Sequence, residues 1–168
     1  MLHTVVVRAL GIDPGLAVTG FAVVEVLDRG GRINDYGCIK TDSRLAAPER
    51  LGIIYNRVCE VIHKWSPNLL VIEDAFVNVK YPKAALQLGE VRGVISLAAS
   101  NLNVDISEVR PSEAKLALTG NGGAGKVQVE NAVRRILNID APAGSSHVSD
   151  ALALALTGLS RGGWFNWP

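Results

Sequence analysis

Two carboxylates close apolar segments that the sequence predicts to be β-strands. Asp13 ends the run VVVRALGID before a Pro-Gly turn, and Glu73 ends the run LLVIE. If these strands are parallel neighbours, both carboxylates lie at the carboxyl edge of the sheet, where ligands bind in open α/β sheets. Hard oxygen donors suit Mg²⁺ or Mn²⁺, which bind a few carboxylates together with water and substrate phosphate. Taken alone, each residue is also explained as a turn cap or a strand end, so only their pairing favours a metal site.

A second candidate ligand pair lies at the start of the last predicted helix, in the segment SSHVSDALALALTG. His147 and Asp150 are three residues apart, so they share one face if both are helical. The apolar ALALAL that follows predicts a helix buried against the sheet, with its polar start facing a site. The alternative is that Asp150 only interacts with the positive helix N-terminus, while His147 is a solvated turn residue.

The glycine-rich segment GNGGAGKV carries Lys126 in a pattern that resembles a phosphate-binding loop. Gly120, Gly125 and Lys126 fit G-x-x-x-x-G-K, but Val127 stands where a Ser or Thr would bind Mg²⁺. The segment also follows a helix-like stretch rather than a strand, which argues against nucleotide binding. We expect instead a mobile loop that presents Lys126 to a phosphodiester.

The hydrophobic pattern predicts one α/β domain. Three strands joined by short turns come first, followed by a helix over residues 48–65, a strand over LLVIED, a helix over residues 83–102, a strand over VDISEV, a short helix over PSEAKLAL, and helices over about 126–137 and 147–160. This order predicts a mixed five-stranded sheet flanked by helices, with the first and fourth strands as parallel neighbours. The expected domain covers residues 1–160, with 161–168 as a C-terminal tail.

The composition is that of one ordinary domain. The 168 residues are 48% hydrophobic, enough for one sizeable core, and the formal net charge of +1 excludes a uniformly basic nucleic-acid binder. Several basic residues remain that can gather on one face: Lys80, Lys83, Arg92, Arg110, Lys115, Lys126, Arg134 and Arg135. Cys38 and Cys59 match no metal-binding spacing and are expected to be reduced thiols. No secretory signal or membrane-spanning run is evident, so we expect a soluble, cytoplasmic protein.

Four motifs, in order and over nearly the whole chain, resemble the RuvC family of Holliday-junction resolvases: GIDPGLAVTGFAVVE, LLVIEDAF, ALQLGEVRGVI and HVSDALALAL. The resemblance implies an RNase H-like fold, a homodimer, and resolution of four-way DNA junctions in recombination and repair by paired symmetric nicks on opposed strands. It also implies a divalent metal, Mg²⁺ or Mn²⁺, with two ions per active site. The RuvA and RuvB branch-migration proteins are the implied partners.

The resemblance also assigns site residues. Four positions match the metal-binding catalytic set of the family: Asp13, Glu73, His147 and Asp150. The expected DNA-binding set combines the junction-probing aromatic residue of the family with five basic residues: Phe76, Lys80, Lys83, Arg110, Lys115 and Lys126. Lys115 and Lys126 match the basic positions near the scissile strand. In such a site, two metal ions activate a water and stabilise the leaving 3′ oxygen without a covalent nucleophile.

Two other functions fit parts of the sequence. The segment IDPGLAVTG also resembles the phosphate loop of phosphotransferases of the actin and sugar-kinase type, but those enzymes usually need two domains and a longer chain. ATP turnover would identify that activity. The other alternative is a protein that binds branched DNA without cutting it. The four predicted metal ligands argue against that function, because the three carboxylates among them would repel phosphate unless metal neutralised them.

The long helix over residues 83–102 carries two stripes that suit a dimer interface. An apolar stripe is expected to cover the sheet: Ala84, Leu88, Val91, Ile95 and Ala98. A stripe of small residues is expected to let a partner helix approach closely: Gly89, Gly93, Ser96 and Ser100. The alternative is that these small residues pack against another helix of the same chain.

Overall fold

A computed structural model describes residues 6–27, 30–74, 81–140 and 144–167 of the chain. The strands within these residues are β1 Val7–Asp13, β2 Val18–Leu27, β3 Gly30–Lys40, β4 Leu69–Glu73 and β5 Asp105–Val109. The helices are α1 Ala47–Trp65, α2 Pro82–Asn101, α3 Pro111–Thr119, α4 Lys126–Leu137 and α5 Ser146–Arg161. These bounds agree with the predicted elements to within a few residues.

The strands form one mixed sheet in the order β3-β2-β1-β4-β5. β2 pairs antiparallel with both β1 and β3, whereas β4 pairs parallel with both β1 and β5. Short turns suffice for the antiparallel strands, while the parallel pairs need the helical crossovers α1 and α2. The predicted α/β class, the mixed five-stranded sheet and the parallel pairing of the first and fourth strands are therefore confirmed.

Helices cover both faces of the sheet, and each face has its own apolar core. In β1, Val7 and Ala9 pack on the face covered by α5, whereas Leu10 and Ile12 pack on the face covered by α1 and α2. Alternate residues of a strand point to opposite faces, so a strand covered on both sides is apolar throughout. This explains why β1 after Arg8, and all of β4, are continuous hydrophobic runs that become acidic only at their ends.

α5 is buried over most of its length, as its apolar sequence predicts. Every residue from Ala151 to Leu159 is buried. The helix packs against β1 and β2 near the middle of the sheet. Its first turn therefore lies where β1 ends.

α2 covers the sheet only with its C-terminal half. Val91, Ile95 and Ala98 are buried as expected, but Ala84 is exposed and Leu88 is only half-buried. The prediction that Ala84 and Leu88 also cover the sheet was wrong because the helix is longer than the strands beneath it. Its 20 residues extend about 30 Å, whereas the five residues of β4 extend about 17 Å.

The residues after α5 return to the core on the α5 side of the sheet. Phe165 is buried there, close to Gly31 of β3 and Leu137 of α4. The Phe165 ring meets that of Trp167 edge-on, with the centroids 5.7 Å apart. Two of the aromatic side chains in this segment thus serve packing. Among the helices that the structure describes, none has the length and apolar character needed to cross a membrane.

Candidate active site

Asp13 and Glu73 lie side by side at the carboxyl edge of the sheet. β1 and β4 run parallel, and their register is continuous up to the residue before each carboxylate. Alternation along the strands places Asp13 on the same face as Ala9, and Glu73 on the same face as Val71. Both Ala9 and Val71 belong to the core on the α5 side. The two carboxylates that the sequence singled out therefore face the start of α5.

Two threonines hold the turn that follows Asp13. The Thr19 hydroxyl donates to the carbonyl oxygen of Gly15 at 2.7 Å, and the Gly15 amide donates back to this hydroxyl at 3.3 Å. The Thr41 hydroxyl donates to the carbonyl oxygen of Leu16. Sequence reasoning missed Thr19. Its signal was a single hydroxyl residue inside the apolar strand VTGFAVV, since a fully buried hydroxyl needs a hydrogen-bond partner.

Two strand glycines let the backbone of α5 approach the sheet closely. A Cβ at Gly11 would overlap the carbonyl oxygen of Ala151. A Cβ at Gly20 would overlap the carbonyl oxygen of His147 and lie 2.8 Å from the His147 Cβ. Because both positions lack a side chain, the first turn of α5 reaches the end of β1. His147 and Asp150 are both helical, as predicted, and His147 contacts Asp13.

Three of the four candidate ligands take part in two separate polar contacts. Nδ1 of His147 lies 2.7 Å from Oδ2 of Asp13, and Nζ of Lys126 lies 3.2 Å from Oδ2 of Asp150. Within the described ranges of the chain, no three His, Cys, Asp or Glu side chains are arranged to hold one ion. In this arrangement an imidazole contacts Asp13 and an ammonium group contacts Asp150.

Burial and nearby negative charge raise the pKa of two of the carboxyls. Burial raises the pKa of Asp13, the hydrogen bond with His147 opposes this rise, and the charge of Asp150 adds to it. Burial also raises the pKa of Glu73, and the charges of Asp13 and Asp150 raise it further. Like charges held together in a partly buried place favour a bound cation. The donor set of three carboxylates and one imidazole therefore fits a divalent metal ion.

A cavity of about 230 Å³ opens beside these carboxylates, between α3, α4 and α5. Its charged lining consists of Glu73, Asp150, Lys115 and Lys126. Lys115 lies within α3, and Lys126 is the first residue of α4, directly after the glycine-rich segment. The structure thus brings together two carboxylates and the two lysines that the sequence singled out. Ammonium groups in this position can donate to a phosphate group that binds next to the carboxylates.

The other predicted DNA-binding residues are more dispersed. Arg110 immediately precedes α3, and its Nε lies 3.5 Å from Oδ2 of Asp74. Lys83 is exposed in the first turn of α2. Phe76 and Lys80 lie outside the described residues.

For three further arginines, the sequence predicts no more than a place on a possible basic face. Arg134 and Arg135 lie in the last turn of α4 and line a different cavity, so they do not join the carboxylates. Arg92 of α2 lies close enough for its charge to oppose the rise in the Glu73 pKa that burial causes. It also pairs with Glu108 at 2.9 Å. Sequence reasoning missed this role because the segment EVRG does not show which side of α2 faces the sheet edge.

The chain is similar to one family over most of its length. A family model described as crossover junction endodeoxyribonuclease RuvC matches residues 9–158, a range that includes all four candidate ligands. A crossover junction endodeoxyribonuclease RuvC from Halothermothrix orenii is 40% identical over 147 residues, which cover 88% of each chain.

Solved structures agree with this similarity. A structure of Thermus thermophilus RuvC matches with a TM-score of 0.85 at 34% identity, over 93% of this chain and 96% of that one. A structure of T. thermophilus RuvC in complex with Holliday junction substrate matches with a TM-score of 0.83 at 33% identity, over 94% and 97%. Because sequence and fold agree along nearly the same span, the chain belongs to the crossover junction endodeoxyribonuclease RuvC family.

Proposed function

We propose that this chain is a metal-dependent endonuclease that resolves four-way DNA junctions by paired symmetric nicks on opposed strands. The proposal rests on one observation above others: the first turn of α5 brings His147 and Asp150 to the edge where Asp13 and Glu73 end their strands. Lys115 and Lys126 line a cavity beside them. A RuvC relative from T. thermophilus was solved with a Holliday junction substrate, which supports the same class of substrate for this chain.

The metal would be held by Asp13, Glu73, His147 and Asp150, and we propose Mg²⁺ or Mn²⁺ with two ions per site. Bound there, the metal would activate a water and stabilise the leaving 3′ oxygen of an in-line displacement. The raised pKa values of Asp13 and Glu73 support this assignment, because burial and neighbouring negative charge disfavour their ionised forms without a cation. His147 orients Asp13 through its 2.7 Å contact and brings a nitrogen donor to the site.

Lys126 is proposed to stabilise charge on the scissile phosphate. Its ammonium group lies 3.2 Å from Asp150, and its side chain is 58% exposed, so it can turn toward a second anionic partner. A phosphate group in the cavity would offer such a partner in its non-bridging oxygens. This interaction strengthens as negative charge builds in the transition state, so it acts on rate more than on binding.

Other basic and aromatic residues are proposed to hold the DNA outside the cavity. Lys83 and Arg110 have exposed side chains suited to phosphate contacts, which position DNA without reading its sequence. Phe76 and Lys80 follow β4 and Glu73 in the sequence, so we propose them as contacts near the junction centre. An apolar ring there can insert between or stack on bases at a distorted step.

The stripe of small residues on α2 is proposed as the interface of a homodimer. Gly89 and Gly93 are exposed, and an added Cβ at either position would meet nothing within 4 Å. Leu86 and Leu97 lie on the same side at helical spacing and remain 71% and 52% exposed. Exposed leucines next to small residues suit close packing against a second copy of the helix. A dimer would supply one active site for each of the two opposed strands.

The proposed cellular context rests on family membership. RuvA and RuvB, which move the branch point, are the proposed protein partners. Since the proposed substrate is recombining DNA, we propose that the protein acts in the cytoplasm.

A synthetic four-way junction tests the proposed function. The junction and a duplex with the same arm sequences are incubated with the protein in Mg²⁺, Mn²⁺ or EDTA, and nicks are mapped on all four strands. We expect symmetric nicks on two opposed strands of the junction with either metal, little cutting of the duplex, and no cutting in EDTA. Binding without cutting in either metal would instead identify a structural binder of branched DNA.

A further inference from the structure

The cavity beside the candidate ligands has apolar lining residues that hydrolysis of a phosphodiester does not require. Apart from its charged residues, the lining comes from α3, α4 and α5: Pro111, Ala114, Val129, Ala153 and Leu154. Ala114, Ala153 and Leu154 are only 7%, 5% and 3% exposed, so part of the lining belongs to the buried core. These side chains offer no hydrogen bonds, so neither a phosphate nor a metal ion is favoured among them.

The volume of the cavity and its charged lining residues together indicate which chemical group enters it. Its volume of about 230 Å³ is below the roughly 300–1,000 Å³ of pockets for drug-sized ligands. A volume of this order accommodates one ring system. Lys115 and Lys126 line the cavity together with Glu73 and Asp150, where the phosphodiester is proposed to bind. A DNA strand held there by a phosphate has one flat group with apolar faces within reach, and that group is a nucleobase.

We propose that this pocket receives the base of a nucleotide that flanks the scissile phosphate, after the base has left its stack. The proposal rests on the proposed nuclease function and extends it to how the site selects its substrate. Leaving the stack is least costly for a base whose stacking is already interrupted, as it is at a branch point. In a continuous duplex the same base must leave two stacked neighbours. The pocket therefore favours cleavage at branch points without requiring hydrogen bonds to a particular base.

Abasic junctions test the pocket from the DNA side. Four-way junctions are prepared that lack the base on the 5′ side or on the 3′ side of the cut but keep the sugar and phosphate. Cleavage by the full chain is followed under single-turnover conditions in Mg²⁺. Changes to apolar contacts in a binding pocket alter rates by about 10- to 200-fold. We expect the wild-type rate to fall by at least about tenfold at one of the two positions.

Ala114→Leu tests the same pocket from the protein side, because the larger side chain extends into cavity space. On the intact junction, this variant should slow cleavage by a factor similar to that caused by removing the base. On the abasic junction that the wild type cuts more slowly, it should slow cleavage little further, because both changes remove the same contact. Val129→Phe fills the cavity from α4. It is used in place of Ala114→Leu if thermal melting shows that Ala114→Leu does not fold. Ala117→Leu lies on the same helix but outside the cavity lining. As the matched control, Ala117→Leu should keep the wild-type difference in cleavage rate between the intact and the abasic junction.

Two results would overturn the proposal. One is a wild-type protein that cuts both abasic junctions as fast as the intact junction. The other is that folded pocket-filling variants slow the intact and abasic junctions by the same factor. A wild-type protein that cuts no intact junction in either Mg²⁺ or Mn²⁺ is a distinguishable result, which overturns the proposed function and the base pocket with it.

Discussion

Replacement of Gly20 with alanine tests whether the close approach of α5 to the sheet positions the candidate ligands. The added Cβ would lie 2.8 Å from the Cβ of His147, whereas carbon atoms pack at about 3.5–4.0 Å. Either the first turn of α5 or the strand must therefore move by about 1 Å. A displacement of this size costs about 100-fold in catalysis, and overpacking costs about 1–3 kcal/mol of stability. We expect a folded, less stable variant that cleaves a four-way junction about 100-fold more slowly.

The assay separates catalysis from folding and from binding. Single-turnover cleavage is measured in Mg²⁺, junction binding in EDTA, and the free energy of unfolding by denaturant titration. Gly30→Ala is the control, because an added Cβ at this glycine at the start of β3 meets nothing within 4 Å. Its rate should stay within about twofold of the wild type. A Gly20→Ala variant that cuts at the wild-type rate would show that the placement of α5 does not limit catalysis.

Three other predictions concern the charge of Lys126, the buried ion pairs of Glu25 and the proposed dimer interface on α2. Lys126→Met should lower the single-turnover rate by about 100-fold while changing junction affinity little; equal effects on both would reduce Lys126 to a general phosphate contact. Burial alone would raise the pKa of Glu25, but hydrogen bonds from Arg8 and Asn34 help to hold it below its ordinary value. Glu25 therefore stabilises the fold above that ordinary pKa, and this contribution is lost as pH falls through the folded-state value. In denaturant titrations, Glu25→Gln should cost roughly 1–3 kcal/mol at pH 7, and the cost should shrink below about pH 4; a cost independent of pH would contradict this. Gly93→Leu should shift the protein toward monomer in sedimentation and abolish paired nicks, and a dimeric variant that still cuts both strands would exclude this stripe as the interface.

The placement of Asp13 and Glu73 could be predicted because it follows from local pattern and from chain connectivity. Each carboxylate ends a run that is apolar because helices cover both faces of its strand. The helix between the third and fourth strands provides the crossover that a parallel partner for β1 requires. The burial of α5 could be predicted as well, because its segment ALALAL is apolar on nearly all sides.

Features that depend on the distance between elements could not be predicted. Gly11 and Gly20 appear as ordinary strand glycines, and only the assembled fold shows that α5 needs the space above them. The contact between Lys126 and Asp150 joins two helices whose relative placement no local pattern specifies. For Ala84, the helical periodicity was right, but the length of the sheet beneath the helix was not visible in the sequence.

The carboxylates at the sheet edge are proposed to bind the metal that cuts four-way junctions. Binding and cleavage of one junction by the wild type, Asp13→Asn and Glu73→Gln provide the test of this assignment. Each substitution keeps nearly the same shape but removes an anionic metal ligand. Both variants should bind the junction like the wild type in EDTA and cut it at least about 100-fold more slowly in Mg²⁺. Wild-type cleavage by either variant would contradict the assignment of the active site.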